Sequence, residues 1–574
     1  MKKNNKKSPS PSKNSVYKSL GFASAIAVTA FIVYAHTISF EFVFDDIENI
    51  LNNPAIIHFQ PSQLLQTFTE PWRAVIQLSY GFTYYIFGFN PAAFHLFNVL
   101  IHVINSVLVF GIARLLAKRW ISPDKAVFFS VAAGMIFAVH PLHSEAVAYV
   151  WGRSSSLCAL FYFGSLLLIL IGFSRVGWKR ILWFGCALIV ALLAWKTKEE
   201  AVTLPLVAAG MVALIGAWRT SVGIAIAPFL LIAAQLRSLI QLRPVVAENQ
   251  VLVSAGLEPA LDSLPYFLTS MKGAVFYYLK MYIFPEGQSA DAYLKPVSGI
   301  LDPALLFALT VLAALVVLGF ILRKDRLFLF GLLALLISPL TSYAIMPLAD
   351  VVAEHRIYIS GLGFSILAAW ILARLPRYRQ AVLAGIVVIL GFATLLRAEV
   401  WADSLTLWKD AAMKYPELAR PHLNLGVAYQ TAGADDLAMT EYKHALSVKP
   451  DLPPAYINMA GILYNRNDLD NSENTLRKAM ELAPTLPAPY LNLAQIAMRK
   501  SNPQEAMEVL NKMPEEGVSY LFHLTKGDTY AQLGQYTEAV AEYEEAVRLR
   551  PDLPEVAALV KDRLDRLKKF GAIR

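Results

Sequence analysis

Long apolar runs dominate the first 400 residues, and a polar, charge-rich sequence follows them. The runs include SLLLILIGF and ALLFALTVLAALVVLGFIL, whereas the sequence after residue 400 is rich in Glu, Lys, Asp and Pro. Apolar segments of about 20 residues are long enough to cross the hydrocarbon core of a bilayer as helices. The pattern therefore predicts an all-α protein, with a polytopic membrane helical bundle followed by a soluble domain.

Eleven apolar runs are candidate transmembrane helices. We place them at 19–38, 93–116, 126–141, 154–174, 181–195, 201–218, 222–241, 302–322, 327–346, 357–374 and 380–397. The run 270–285 contains Lys272 and Lys280, and a crossing there would reverse the charge pattern of the following loops. We expect this run and the segment 74–88 to be outer-surface or partly inserted helices.

Basic residues set the expected orientation. Lys and Arg are concentrated in alternate connections, at 114–125, 175–180, 323–326 and 374–379. Short cytoplasmic loops are enriched in these residues. We therefore expect residues 1–18 to be a disordered cytoplasmic tail, 19–397 to be the membrane domain, and 398–574 to lie outside the cytoplasm. The lysine-rich start and short loops favour a bacterial inner membrane, with the last domain in the periplasm.

The composition of the chain argues against nucleic-acid binding and against sites built from cysteines. The chain has 574 residues, of which 16% are charged, against about 25% in soluble domains. Its net charge of +8 lies largely in the first 18 residues and the short loops, so we expect no nucleic-acid partner. The two cysteines, Cys158 and Cys186, lie in apolar runs and are expected to be small hydrophobic residues. Two such residues give neither a disulfide framework nor a zinc site.

The polar C-terminal part repeats with a period of 34 residues. Asn424, Asn458 and Asn492 are equally spaced, and the pattern around Gly426 and Tyr442 returns 101 residues later. Such a period is typical of tetratricopeptide repeats. We expect a connecting segment at 398–420 and about four repeats over 421–574, stacked as a superhelix with a concave groove for peptides or proteins. A spacer or an assembly surface is the alternative role.

An acidic pair, Asp45 and Asp46, follows the first span in FVFDDIENILNNP. Adjacent carboxylates repel, so the pKa of one of them is expected to rise. Such a pair suits a general base or a cation site. A solvated or helix-capping acidic pair would have the same sequence.

Three further polar clusters fall on the same side of the membrane as this pair. They contain His140, His143, Glu145 and Arg153; Lys196, Lys198, Glu199 and Glu200; and Asp350, Glu354, His355 and Arg356. The histidine spacing matches no zinc signature, and no metal site is expected. Ionisable residues at the ends of spans are costly unless they pair or line a wet cavity. Four clusters on one side therefore predict the walls of a single polar site.

Six segments together carry a family resemblance. They read FVFDDIENILNNP, GFNPAAFHLFNVLIHVINSVL, HPLHSEAVAYVWGRSSSLCALFY, KTKEEAVTLP, YYLKMYIFP and VAEHRIYISGLGF. In this order they resemble the signature segments of the transmembrane and tetratricopeptide-repeat protein O-mannosyltransferases and their bacterial relatives. Two positions depart from the pattern: PWRAV stands where Arg-Pro is expected around Arg73, and His355 interrupts the usual AER before Arg356.

The resemblance implies a GT-C type glycosyltransferase. Such an enzyme moves a sugar, here mannose by resemblance, from a polyprenyl-phosphate carrier to an acceptor outside the cytoplasm, such as protein Ser or Thr hydroxyls. The expected partners are membrane lipid, the lipid-linked sugar, and an acceptor protein held by the repeats. No cofactor is implied with certainty, and a divalent cation is not expected.

The resemblance also suggests a role for each candidate residue. Asp45 or Asp46 would be the catalytic base, with Asp45 favoured, in a single inverting displacement. The carrier phosphate would be held by Arg153, Lys198 and Arg356, and the acceptor or sugar positioned by His143, Glu145, Glu199 and Glu354.

Two other functions fit parts of the sequence. A non-catalytic membrane scaffold whose repeats recruit envelope proteins would need none of the four polar clusters. A transporter or flippase of lipid-linked sugars would need charges at mid-membrane on several spans, and the sequence has few there.

Overall fold

The computed structural model describes residues 13–69, 73–217, 220, 263–341, 350–514, 518–551 and 553–569. All regular elements in these ranges are helices, which confirms the predicted all-α class. The chain divides into two compact units, with the boundary between Lys414 and Tyr415. The predicted span 222–241 and most of the predicted tail 1–18 lie outside the described residues.

Six helices in the described residues are long and apolar enough to cross a membrane. They are Tyr17–Ser39, Pro91–Trp120, Arg153–Phe173, Trp178–Thr197, Pro303–Ile321 and Arg379–Glu399. Each coincides with one of the eleven predicted spans. The chain is therefore a multi-pass membrane protein.

A seventh predicted span, 126–141, is bent. Helix Pro123–Val139 and the segment Pro141–Ala148 meet at an angle of 52°. Pro141 has no N–H to continue the hydrogen-bond ladder, and it disfavours the helical conformation at His140, which is extended. The bend directs the residues after His140 along a different axis.

Three other predicted spans correspond to shorter helices: Leu204–Leu214, Arg326–Ile337 and Gly361–Leu372. The predicted range 327–346 continues into residues outside the description. The predicted range 357–374 begins too early, because residues Glu354–Ile357 form a separate 3₁₀ turn. This turn brings polar residues to the end of helix Gly361–Leu372.

The two segments predicted to lie on the outer surface are helices with one buried face. In helix Ala74–Phe87, Ile76 and Tyr80 are buried. Residues Ser263–Ile283 form a helix with a π-helical turn at Ala274–Leu279, and Tyr278 and Tyr282 are buried there. Both segments therefore pack against the protein, which the surface-helix prediction did not foresee.

The part of the predicted connecting segment up to Lys414 packs within the first unit. Helix Ser404–Lys414 buries Trp408, whose ring meets Phe44 edge-on at 5.2 Å. Trp401 is fully buried and stacks on Tyr149 at 4.9 Å between ring centroids. The first unit thus extends about 15 residues beyond the last apolar helix, whereas the sequence predicted the membrane domain to end at 397.

The described residues of the second unit form four helix pairs and a final helix. The pairs are Ala419–Thr431 with Asp435–Val448, Pro453–Asn465 with Leu469–Leu482, Pro487–Arg499 with Pro503–Asn511, and Tyr520–Gln532 with Tyr536–Leu549; Pro554–Lys569 follows. A Cβ at Gly426 would lie 2.5 Å from the Tyr442 ring, and a Cβ at Gly527 would lie 2.6 Å from Tyr543. The repeating Gly and Tyr therefore mark places where paired helices approach closely.

Candidate active site

A polar cavity of about 240 Å³ opens among the loops of the first unit. It is lined by Phe44, Asp45, Arg73, Glu145, Tyr149, Trp151, Gly152, Ser154, Lys198, Glu199, Glu200, Val202, Ala290, Thr341, Asp350, Val352, Ala353, His355 and Arg356. All four polar clusters of the sequence contribute to this wall. Among the predicted site residues, the structure brings together Asp45, Glu145, Lys198, Glu199 and Arg356.

The acidic pair is divided between the cavity and the protein interior. Phe44 has a left-handed backbone with φ of 56°, which a residue with a side chain adopts only at a cost. Asp45 lines the cavity, whereas Asp46 is fully buried. Asp46 Oδ1 accepts a hydrogen bond from the Trp151 N–H at 2.7 Å, and Oδ2 accepts one from the Val43 N–H at 3.1 Å. Asp46 therefore ties the acidic loop to the loop before helix Arg153–Phe173.

Burial also changes the ionisation of Asp46. It raises the pKa of Asp46 to about 8, although the N–H groups of Val43 and Trp151 act in the opposite direction. The protonated, uncharged form of Asp46 is thus favoured at neutral pH, whereas a carboxyl group must be deprotonated before it can act as a general base. Asp45 is the member of the pair that faces the cavity.

Two ion pairs also contribute to the cavity wall. Lys198 is 5% exposed, and its Nζ lies 2.7 Å from Glu200 Oε1 and 2.7 Å from Ser155 Oγ. Arg73 Nη2 lies 3.3 Å from Glu199 Oε1, and both side chains are partly exposed. Burial opposes ionisation of Glu199, but the charges of Arg73 and Lys198 outweigh it and lower the pKa of Glu199 to about 2. This wall therefore holds fixed charges of both signs.

The segment around Arg356 completes the cavity. Arg356 Nη1 donates to the Asp350 carbonyl at 2.7 Å. Glu145 is held by His355, with Oε1 2.7 Å from the ring Nδ1 and Oε2 accepting from the His355 N–H at 2.9 Å. The inserted His355 thus has a defined partner, and Arg356 follows it directly into the cavity wall.

Arg153 is not in the cavity wall. Its side chain is fully buried, with Nε donating to Asn98 Oδ1 at 2.7 Å and Nη2 to the Phe94 carbonyl at 2.8 Å. Nη1 donates to Ser79 and Thr83, and the guanidinium lies 4.6 Å from the centroid of the Tyr80 ring. Through these bonds the guanidinium connects helix Arg153–Phe173 with helices Ala74–Phe87 and Pro91–Trp120. It does not lie where a carrier phosphate in the cavity would lie.

His143 and Glu354 are also buried outside the cavity lining. His143 Nδ1 lies 2.9 Å from the Phe137 carbonyl, and its ring packs against Tyr358. Glu354 Oε2 accepts from Gln288 Nε2 at 2.6 Å, and Oε1 lies 3.7 Å from Arg397 Nη2. Burial raises the pKa of Glu354, and the charge of Arg397 opposes this effect. Both residues are therefore held by partners outside the cavity lining.

An apolar groove of about 200 Å³ lies beside the polar cavity. It is lined by Met271, Ala274, Tyr278, Leu279, Tyr282, Leu312, Leu315, Val316, Leu335, Leu336, Pro339, Leu340, Ile357 and Ser360. Tyr278 joins the two spaces, because its hydroxyl donates to the Ala353 carbonyl at 3.1 Å and accepts from the Ala353 N–H at 2.9 Å. Ala353 belongs to the polar wall, so a polar head and an apolar chain of one molecule could occupy neighbouring spaces.

Several wall residues had no role in the sequence prediction. Arg73 was noted only as a departure from the family pattern, and its partner Glu199 is 126 positions away. Glu200 belonged to one of the predicted polar clusters but had no predicted role. Its Oε2 has no hydrogen-bond partner in the described part of the chain. Trp151 and Tyr149 carried no sequence signal beyond their place in the HPLHSEAVAYVWGR segment.

The fold and the cavity define an all-α multi-pass membrane protein with a tetratricopeptide-repeat domain. The tetratricopeptide repeat-like domain family matches residues 376–569. The chain is homologous to the TMTC protein O-mannosyl-transferases, which confirms the resemblance seen in the sequence.

Three relatives illustrate the extent of this similarity. The protein O-mannosyl-transferase TMTC4 of Mus musculus is 24% identical over 73% of this chain and 65% of its own length. A protein O-mannosyl-transferase of Caenorhabditis elegans is 25% identical over 72% of this chain and 61% of its own length. The Drosophila melanogaster Tmtc2 is 35% identical over 31% of this chain and 20% of its own length. The chain thus spans less than two thirds of each of these relatives.

Proposed function

We propose that this protein is a membrane glycosyltransferase that moves a sugar from a polyprenyl-phosphate carrier to a protein hydroxyl. The first sugar to test is mannose. The observation that carries the proposal is the polar cavity, in which Asp45 shares a wall with Arg73, Lys198 and Arg356. The relatives' names, protein O-mannosyl-transferase, support the same reaction class.

The reaction is a single displacement at the sugar carbon. The acceptor oxygen attacks the anomeric carbon while the Asp45 carboxylate takes the hydroxyl proton. The bond from that carbon to the carrier phosphate oxygen breaks, and the phosphate leaves with its electron pair. Arg73, Lys198 and Arg356 stabilise the charge that develops on it. The configuration of the sugar carbon is inverted.

The two neighbouring spaces suit a lipid-linked donor. The sugar and phosphate would lie in the polar cavity, and the first isoprene units in the apolar groove beyond Tyr278. Each cation in the wall already has an acidic or carbonyl partner, so the phosphate would be a second partner. Glu200 Oε2, which lacks a partner among the described residues, is suited to accept a hydrogen bond from a sugar hydroxyl.

The loops that form the cavity are those that the charge pattern assigns to the outer side. On this basis the acceptor approaches from outside the cytoplasm, and the repeats lie on that side and present the acceptor protein. The membrane in question would be a bacterial inner membrane.

The proposal is tested with purified protein and a panel of polyprenyl-phosphate sugars, each with a hydroxyl-rich peptide acceptor. We expect release of polyprenyl phosphate and labelling of the peptide with one sugar of the panel. If no donor releases its carrier while the protein still binds envelope proteins through the repeats, the chain is a scaffold. The scaffold is the alternative because an array of four helix pairs serves assembly equally well.

A further inference from the structure

Two histidines and a glutamate meet on the first repeat of the second unit. His422 belongs to helix Ala419–Thr431, and Glu441 and His444 belong to helix Asp435–Val448. One ligand atom from each of the three side chains lies within 4.8 Å of the others. Glu441 and His444 are three positions apart, so they occupy the same face of their helix. A Glu-x-x-His spacing of this kind recurs at metal sites built between helices.

The contacts of His422 make one of its ring nitrogens, Nδ1, available as a metal ligand. Its Nε2 lies 3.2 Å from the Pro416 carbonyl and its Nδ1 lies 2.7 Å from Glu441 Oε2. In the tautomer with its proton on Nε2, that nitrogen donates to the Pro416 carbonyl and Nδ1 presents its lone pair to the carboxylate. These two groups repel each other unless a second proton or a metal cation lies between them. A backbone carbonyl on the other ring nitrogen is the usual support of a metal-ligating histidine.

The fourth repeat offers an internal comparison. His523 and Glu542, 101 positions later, form the same contact, with Nδ1 2.6 Å from Oε2. There a lysine supplies positive charge, since Lys526 Nζ lies 2.7 Å from Glu542 Oε1. At the position equivalent to Lys526 the first repeat has Leu425, and at the position equivalent to Glu545 it has His444. The first repeat therefore lacks this lysine and has a second histidine beside the pair.

We propose that His422, Glu441 and His444 bind a divalent transition-metal cation, with Zn²⁺ as the best-fitting ion. Two imidazoles and one carboxylate suit Zn²⁺ and disfavour Mg²⁺ and Ca²⁺, which take oxygen ligands. Ligand atoms around Zn²⁺ are about 3.3–3.5 Å apart when each is about 2.0–2.1 Å from the ion. To reach this spacing, the 2.7 Å contact between His422 and Glu441 would lengthen, and the exposed His444 side chain would move towards them. The ion would join the two helices of the first repeat.

The test uses the full-length protein in detergent after treatment with a chelator. Zn²⁺ is added in competition with a chromophoric chelator, and both affinity and stoichiometry are measured. We expect His444→Ala to remove one bound ion per chain or to weaken its binding at least about tenfold. His444 is exposed, so this change leaves the fold intact. Glu441→Gln should have a similar effect, whereas His523→Ala in the fourth repeat should have none.

Thermal unfolding supplies an independent readout. Zn²⁺ should raise the melting temperature of the wild-type repeats and of His523→Ala, but not that of His444→Ala, because an ion that binds only the folded state stabilises it. Equal Zn²⁺ binding by wild type and His444→Ala would overturn the proposal. So would an equal loss in His523→Ala, which would indicate loosely bound surface ions at both repeats.

Discussion

Asp45 and Asp46 are neighbours in sequence with opposite environments, and substitutions should separate their roles. Asp45→Asn should lower the rate of sugar transfer by about 100- to 10,000-fold, as expected for loss of a general base, and leave the melting temperature unchanged. Asp46→Asn should instead destabilise the protein by about 1–3 kcal/mol, since an amide nitrogen would face the N–H of Val43 or Trp151. Transfer assays and thermal unfolding of both variants decide this, and near wild-type turnover of Asp45→Asn would remove it from the mechanism.

Two arginines provide a second matched pair. Arg153→Ala should lower stability by more than about 3 kcal/mol, because it leaves the buried Asn98 Oδ1 without its donor and opens a cavity. Arg73→Ala should keep the melting temperature, since the side chain is partly exposed, but raise the KM for the lipid-linked donor. Folded yield and steady-state kinetics distinguish the two. A stable Arg153→Ala with a donor-specific KM defect would restore the phosphate-binding role that the sequence suggested.

At the residue scale, the sequence predicted which segments line the cavity but not the position of every side chain. It located the clusters around Asp45, Glu145, Lys198 and Arg356, because charge is conspicuous at the ends of apolar runs. Arg153 was assigned to the cavity because it borders the same loop. Its direction depends on helices at 74–87 and 91–120, whose packing no local pattern reveals.

At the scale of helices, close packing depends on individual glycines. A Cβ at Gly363 would lie 2.2 Å from the Leu335 backbone nitrogen and 2.6 Å from the Gly331 carbonyl oxygen. Gly363→Ala should therefore push helix Gly361–Leu372 away from Arg326–Ile337 and sharply reduce the folded yield. A Cβ at Gly385 meets nothing within 4 Å, so Gly385→Ala in helix Arg379–Glu399 should be neutral or slightly stabilising. Detergent thermal unfolding measures both, and equal melting temperatures would contradict the packing argument.

Apolar runs predicted the long helices well because span length follows bilayer thickness. The predicted span 154–174, for example, corresponds to Arg153–Phe173. The bend at Pro141 and the 3₁₀ turn at Glu354–Ile357 were missed. Both lie in segments whose hydropathy continues that of the neighbouring helix, so a hydropathy profile does not separate them. These two irregular segments are also the ones that bring Glu145 and Arg356 to the cavity.

At the scale of the whole molecule, the charge pattern of the loops makes a topology prediction. An odd number of crossings with a cytoplasmic N-terminus places residues 400–574 outside the cytoplasm. Alkaline phosphatase fused after Arg574 should be active in a bacterial host, and a cytoplasmic reporter fused at the same point should be inactive. The reverse pair of results would require an even number of crossings.

The position of the boundary between the two units leads to a final prediction. Every described residue that lines the cavity precedes Lys414, and the repeats have their own apolar clusters, around Tyr442 and Tyr543 for example. A chain ending at Lys414 should therefore keep its melting temperature, and the fragment 415–574 should be a helical domain with modest stability.

A chain ending at Arg397 is the matched control. It lacks Trp401 and Trp408, which pack on Tyr149 and Phe44 beside the cavity, and loss of such buried rings costs about 3–5 kcal/mol each. We expect this shorter chain to unfold at a lower temperature or to fail to accumulate. Equal stability of the two truncated chains would place the boundary at the end of the last apolar helix, as the sequence alone suggested. Circular dichroism of the repeat fragment and thermal unfolding of both membrane fragments provide the measurements.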